Sequence, residues 1–441
     1  MPIKRFTPVL CFRVMCIFAS QKNKNAMNTH NQANINSEIG KLEGVILHTP
    51  GSEVENMTPA NAERALYSDI LNLHIAKPEY LQLSGVLEKV STVYQVKKIL
   101  TEILPNPAAK AFLLKDICQG KEDCTLFDEL NSIPDETLAS QLIEGVPLRR
   151  DNLSRFLSQE RYELRPLHNF FFTRDSAMVI GKEVLIGNMA SPVRKRETQI
   201  MEAIFKFHPL LKSPTINPDK GTNNTKDLTI EGGDIQIVTD EILLAGAGLR
   251  TSTKGIDFLV DHFKKTRQTQ NILVQELPKK PESFIHLDMV FTNLNHDECL
   301  VYEPLISKQT KHQTILISIH KGRVSINQVK NLPDGLRKLG MDIKTISCGG
   351  TGDPYIQERE QWHSGANFFT FAPGKAIGYN RNVYTLEELN KHGYEILPAE
   401  DVISGKTNPD HFDKCIITID GAELARGGGG ARCMTMPVRR Q

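Results

Sequence analysis

Cys433 lies in the run Arg426-Gly427-Gly428-Gly429-Gly430-Ala431-Arg432-Cys433-Met434-Thr435-Met436-Pro437. Four consecutive glycines let a backbone approach a ligand closely or move as a flap. An arginine directly before a cysteine favours the thiolate, which is the nucleophilic form. Such a nucleophile needs an acid/base partner, and the chain offers His286, with Asp288 two residues on. It also offers Asn169 and Asp175 in Asn-Phe-Phe-Phe172-Thr-Arg174-Asp175, and Glu231 and Asp234 in Glu-Gly-Gly-Asp. This inventory suits a guanidinium, which is planar, cationic and resonance-stabilised, so its carbon is a poor electrophile. Two carboxylates can each accept parallel N–H donors from its fork, holding it protonated and oriented. A thiolate can then add, and a histidine can protonate the departing ammonia and afterwards activate water.

Taken singly, each residue has an ordinary alternative. A buried cysteine is usually an inert small hydrophobe, His286 could be a satisfied core histidine, and Glu-Gly-Gly-Asp could be a turn. Arg194 and Arg250 could be solvated surface charges, but each follows its hairpin at a similar offset. The pattern reads 286–291 as a strand, and on a strand His286 and Asp288 share a face. The glycine run has no strand–GxxxxGK[ST]–helix context, so it does not read as a phosphate loop. Trp362 reads as structural.

The elements that must position these groups change texture along the chain. Gly44 to Pro50 reads as a buried strand. Across 78–150, Val86, Val90, Val93, Val96, Leu100 and Ile103 recur at helical spacing, further helical patches cover 109–117 and 136–144, and prolines punctuate the region. This predicts a small helical bundle, either a separate domain or an insertion. After Arg150 the period becomes two. Hairpins are expected at 177–186, with a Gly181-Lys182 turn, and at 234–244, 286–302 and 367–379, with a last strand at 414–418. Helices are expected at 195–206, 254–265 and 385–392. With the Gly44 strand this makes five strand-hairpin-helix modules, which suggests radial repetition. Asp175, Asp234, Asp288 and Asn367 recur at corresponding ends and would converge on one centre.

Lys and Arg total 53 against 52 Asp and Glu, which argues against binding nucleic acid or a membrane surface through bulk charge. No apolar run reaches the roughly 18–20 residues that span a bilayer. The eight cysteines form no CxxC pair and have no zinc-ribbon spacing, so neither disulfides nor a metal is expected, and a reducing compartment is. The first 26 residues are basic and free of acid. They read either as a targeting presequence or as a spurious upstream start, with Met27 the initiator. Residues 1–36 are read as an extension outside the fold.

With these motifs in hand, the chain from about residue 40 onward resembles the arginine deiminases of the guanidino-modifying (pentein) superfamily. The motifs are Phe172-Thr-Arg-Asp175, Glu231-Gly-Gly-Asp234, His286-Leu-Asp288-Met-Val-Phe-Thr292, Glu358-Arg-Glu-Gln-Trp362 and Ala431-Arg-Cys-Met-Thr-Met-Pro437. The resemblance implies an α/β fold: a five-fold pseudosymmetric α/β propeller formed by 37–77 and 151–441, with the helical domain 78–150 inserted. It implies Cys433 as nucleophile, His286 as general acid/base, Asp175 and Asp288 gripping the guanidinium, and Glu231 supporting them. Asn169, Arg194 and Arg250 would hold the substrate's amino-acid end and Phe172 would wall its stem, with Asp234, Gly428 and Arg432 completing the binding set. Some members carry a flap arginine where this chain has Gly428, and Arg426 or Arg432 would substitute for it. The implied reaction is cofactor-free hydrolysis of free L-arginine to L-citrulline and ammonia, by a cytoplasmic homo-oligomer. Rival readings are hydrolysis of agmatine or dimethylarginine, amidino transfer to an amine, or a catalytically silent binding propeller.

Overall fold

The computed structural model describes residues 32–117, 125–221, 227–308 and 310–441. The expectations for residues 1–31, including Met27, and Cys118 and Cys124 lie outside them. The fold is mixed α/β. Among the described residues five sheets share one plan, in which a central strand pairs antiparallel on one side and parallel on the other. The central strands are Leu42–Leu47, Glu183–Ile186, Ile242–Ala247, Glu298–Val301 and Lys375–Tyr379. Their antiparallel partners are Met436–Arg440, Ala177–Ile180, Ile235–Thr239, Phe291–Asn293 and Phe369–Ala372. Their parallel partners are Thr92–Gln95, Thr215–Ile216, Thr269–Glu276, Lys344–Ser347 and Cys415–Ile419. A parallel return needs a crossover, and helices such as Lys195–Phe207, Thr253–Thr266 and Val383–Lys391 supply it. In the hairpin Ile180↔Glu183, Gly181 takes φ +63°, a conformation open to glycine.

Three expectations change. The periodic run through 86–103 is not one helix: helix Leu73–Val90 stops, strand Thr92–Gln95 pairs with Leu42–Leu47, and helix Val96–Ile103 follows. Thr92 and Val93 are β-branched and fit a sheet, and a free sheet edge was there to be paired. The buried side chains of the helical region are also continuous with those of the sheets. Leu100, Leu113, Leu138 and Leu142 pack with Phe205 and the 177–186 hairpin, whereas Tyr80, Leu83 and Leu87 pack with Ile417 and Met434. Residues 33–36 are not outside the fold: Asn34 bridges Arg439 and Ile35 bridges Gly181, with Ala33 and Ile35 buried.

Candidate active site

Each antiparallel partner strand is preceded by a short turn, and those five turns carry the polar motifs. Asp175 precedes Ala177–Ile180, Gly232–Asp234 precedes Ile235–Thr239, and Leu287–Met289 precedes Phe291–Asn293. Asn367 precedes Phe369–Ala372, and Cys433 precedes Met436–Arg440. Hydrogen bonds link the turns in a closed circuit. Gly232 N–H donates to the Asp175 carbonyl at 3.1 Å and Leu287 N–H to Asp234 Oδ1 at 2.9 Å. The Asn367 side-chain amide donates to the Asp288 carbonyl at 3.1 Å, and Cys433 N–H donates to Asn367 Oδ1 at 3.2 Å. Arg174 N–H donates to the Cys433 carbonyl at 3.1 Å and closes the ring. The expected strand at 286–291 is therefore a 3-10 turn up to Met289, because Leu287 N–H is taken by the Asp234 carboxylate rather than by a neighbouring strand. The glycines of Glu-Gly-Gly-Asp allow this close packing. A Cβ at Gly232 would sit 2.0 Å from the Arg174 carbonyl oxygen, and one at Gly233 2.6 Å from the His286 ring.

The circuit surrounds a cavity of about 40 Å³ lined by Asn169, Phe172, Asp175, Arg194, Arg250, His286, Gly428 and Cys433. Behind it, His286 Nε2 lies 3.0 Å from Glu231 Oε2, and its Nδ1 lies 3.7 Å from Asp175 Oδ1. Burial alone would lower the histidine's pKa, but Asp175, Glu231 and Asp234 carry it up to about 9. Burial likewise works against the charge on Asp175 and Glu231, yet His286, with Arg194 and Arg250 nearby, holds both below the ordinary carboxylate range. Asp175, Glu231 and His286 form the one cluster among the described residues whose ligand atoms lie close enough to hold a metal ion. A protonated imidazole has no free lone pair to offer one. Asp175 Oδ1 and His286 Nδ1 are buried without a hydrogen-bond partner.

Cys433 Sγ lies 3.8 Å from Asp288 Oδ2. Burial raises the thiol's pKa well above its usual value, Asp288 and Asp175 add to that, and Arg432 opposes it only weakly. The flanking arginine therefore does not by itself make a thiolate, because its guanidinium points away. Arg432 Nε pairs with Glu38 at 3.0 Å, Nη1 with Asp288 at 2.8 Å, and Nη2 donates to the Ile235 carbonyl. It is a buried strut that lines no part of the cavity. Arg426 pairs with Asp69 and Glu423 at the surface, so neither arginine reaches the site from the glycine run. Asp234 is also turned from the cavity, serving Leu287 instead, and burial raises its pKa to about 7.

Arg194 is clamped between Asp175 at 2.6 Å and Glu197 at 2.8 Å, and donates to the Phe172 carbonyl. Arg250 is held more loosely, 3.9 Å from Glu231. Asn169 donates to the Ala65 carbonyl at 2.7 Å. The residue pattern brought Asn367 to the common centre without a role, and it did not place Glu38, Glu197 or Leu66 there. Glu197 was discoverable as the i+3 partner of Arg194. Leu66 lines the cavity from a left-handed turn with φ +68°, a conformation rare for leucine that nothing in its sequence signals.

Fold and site together define a mixed α/β protein with a buried cysteine–histidine–carboxylate centre. The profile of the arginine deiminase family matches residues 63–440. An arginine deiminase of Listeria innocua serovar 6a is 32% identical over 93% of this chain and 98% of its own. One from Oenococcus oeni is 29% identical over 92% and 97%. Among solved structures, an amidinotransferase of saxitoxin biosynthesis from Microseira wollei has a TM-score of 0.52 at 15% identity, covering 93% of this chain and 97% of its own. That likeness speaks to the fold alone. The chain belongs to the arginine deiminase family.

Proposed function

We propose that this protein is an arginine deiminase, converting L-arginine and water to L-citrulline and ammonia. The observation that carries the reading is the pair Asp175 Oδ1 and His286 Nδ1, buried 3.7 Å apart with no hydrogen bond to either, on the cavity that Cys433 also lines. Buried polar groups are rarely left unpaired without a ligand to take them. The substrate guanidinium gives N–H donors to Asp175 Oδ1 and to Asp288. Its positive charge offsets the two carboxylates that hold the thiol protonated, so the thiolate forms and the thiol proton passes to solvent. Cys433 sulfur then bonds to the guanidinium carbon, and the carbon–nitrogen bond breaks as His286 gives a proton to the leaving ammonia. His286 next takes a proton from water, whose oxygen attacks the same carbon. The carbon–sulfur bond breaks as the new hydroxyl's proton passes to the sulfur, releasing the ureido product and restoring the thiol. Arg250 faces the substrate carboxylate, with Arg194 and Asn169 beside it and Phe172 against the stem.

The cavity is too small for arginine as it stands, so Leu66 and the glycine run must move to admit it. The recurrent three-strand plan and the closed hydrogen-bond circuit support a five-bladed propeller with the helical region inserted in its first module. Exposed Leu153, Phe156 and Leu157 support a homo-oligomer. No helix among the described residues is long and apolar enough to cross a membrane, and the free, buried Cys299, Cys348 and Cys415 suit a cytoplasmic location. The test is an assay of purified protein with arginine, agmatine and dimethylarginine, scored for ureido product and ammonia. Citrulline from arginine without an amine acceptor is expected. Cys433→Ser should lose roughly 10³-fold or more in turnover, and a fully active serine variant would overturn the reading.

A further inference from the structure

Asn367 has no part in the scheme above, yet its side chain touches both the Cys433 sulfur and the backbone that carries it. It is buried between the 365–368 turn and the glycine run. Its Nδ2 donates to Cys433 Sγ at 3.2 Å and to the Asp288 carbonyl at 3.1 Å. Its Oδ1 accepts the N–H groups of Arg432 at 3.1 Å and Cys433 at 3.2 Å. Those two backbone donors fix the amide's orientation, since a flipped amide would face N–H with N–H. The NH₂ group is thereby forced toward the sulfur.

We propose that Asn367 is a further catalytic residue, whose side-chain amide donates a hydrogen bond to the anionic sulfur of Cys433 and holds it against the substrate carbon. The inference rests on Cys433 being the nucleophile. A sulfur flanked by carboxylates in a dry site needs a donor to bear negative charge, because an N–H donor favours the charged form of its acceptor. Asn367 is a neutral donor that brings no counter-ion to compete with the cationic substrate for Asp175 and Asp288. It also couples the sulfur to the loop that covers it. A Cβ at Gly430 would lie 2.7 Å from Asn367 Oδ1 and 2.6 Å from its carbonyl oxygen, so the loop seats only with glycine there.

The test uses the full-length protein and the variants Asn367→Asp and Asn367→Ala. Asn367→Asp keeps the shape and the acceptor for both backbone N–H groups but replaces the donor with an oxygen. Cys433 alkylation by iodoacetamide, read by mass spectrometry across pH, reports thiolate formation without substrate. Both variants should shift that profile upward by at least one pH unit. Turnover should fall by roughly 10²-fold or more with KM for arginine changed less, and Asn367→Asp should be the more damaged of the two. Melting temperatures identify any variant that fails to fold. An alkylation profile and kcat unchanged in a folded variant would overturn the inference while leaving the assigned reaction intact. Full activity of Cys433→Ser would instead remove the reading on which it rests.

Discussion

At the scale of single residues, the two arginines assigned to the substrate's carboxylate are not equivalent. Arg194 neutralises two buried carboxylates, Asp175 and Glu197, and burial already raises the Glu197 pKa to about 7. Removing it leaves uncompensated buried charge, which typically costs about 3–5 kcal/mol. Arg194→Ala should therefore lower the melting temperature and impair turnover of every guanidine. Among the described residues Arg250 makes one ion pair, with Glu231 at 3.9 Å. Arg250→Ala should keep its stability and lose on the order of 2–4 kcal/mol in kcat/KM for arginine, with little change for agmatine, which has no carboxylate. Parallel kinetics on both substrates check this, and equal losses would remove Arg250 from carboxylate recognition. His286 gives a pH prediction. The folded protein keeps its imidazole proton up to about pH 9, whereas an unfolded histidine loses it near 6.5. The raised value contributes stability that is complete below pH 6.5 and is lost as pH rises through 9. The full contribution is on the order of 3 kcal/mol. Melting temperature should fall across that window in the wild type and fall less in His286→Gln; equal slopes would contradict the assignment.

At the scale of elements, the glycine run 427–430 is the segment on which access depends. Gly428 takes φ +82°, and the Gly429 carbonyl accepts a hydrogen bond from Tyr379 Oη at 2.9 Å. A Cβ at Gly429 would meet Phe172 at 2.5 Å and the Cys433 Cβ at 3.0 Å, distances that side chains do not tolerate. Gly429→Ala should hold the loop off the site and cut turnover by roughly tenfold or more with the fold intact. Hydrogen exchange over 424–432 should slow when Cys433→Ser binds arginine. Unchanged exchange together with a fully active alanine variant would make the run a passive linker.

At the scale of the whole molecule, the hydrogen-bond circuit is underlain by buried charge. Glu38 pairs with Arg432 and lies 3.7 Å from Arg174. Burial opposes its charge, but Arg432, Arg174 and Arg440 bring its pKa down to about 2. A segment outside the matched 63–440 thus anchors the arginine that holds Asp288. Glu38→Gln should destabilise the protein by about 3 kcal/mol and raise KM for arginine, since Arg432 would then be drawn wholly onto Asp288. A variant with wild-type melting temperature and KM would show the contact to be dispensable.

The amino-acid sequence by itself singled out the groups proposed to react. Cys433, His286, Asp175 and Glu231 each allow an ordinary reading alone and point to one chemistry only as a set, and the 177–186 hairpin with its Gly181 turn follows from local propensity. Only the tertiary structure decided which charges face the cavity. Arg432 stands beside Cys433 in sequence but turns to Glu38, a partner 394 residues away, because a buried guanidinium goes to the carboxylates that can satisfy it. Asn367 reaches the sulfur across 66 residues, and strand Thr92–Gln95 exists because Leu42–Leu47 offers it an edge. Such pairings depend on long-range burial and hydrogen-bond satisfaction, which no window of neighbouring residues encodes.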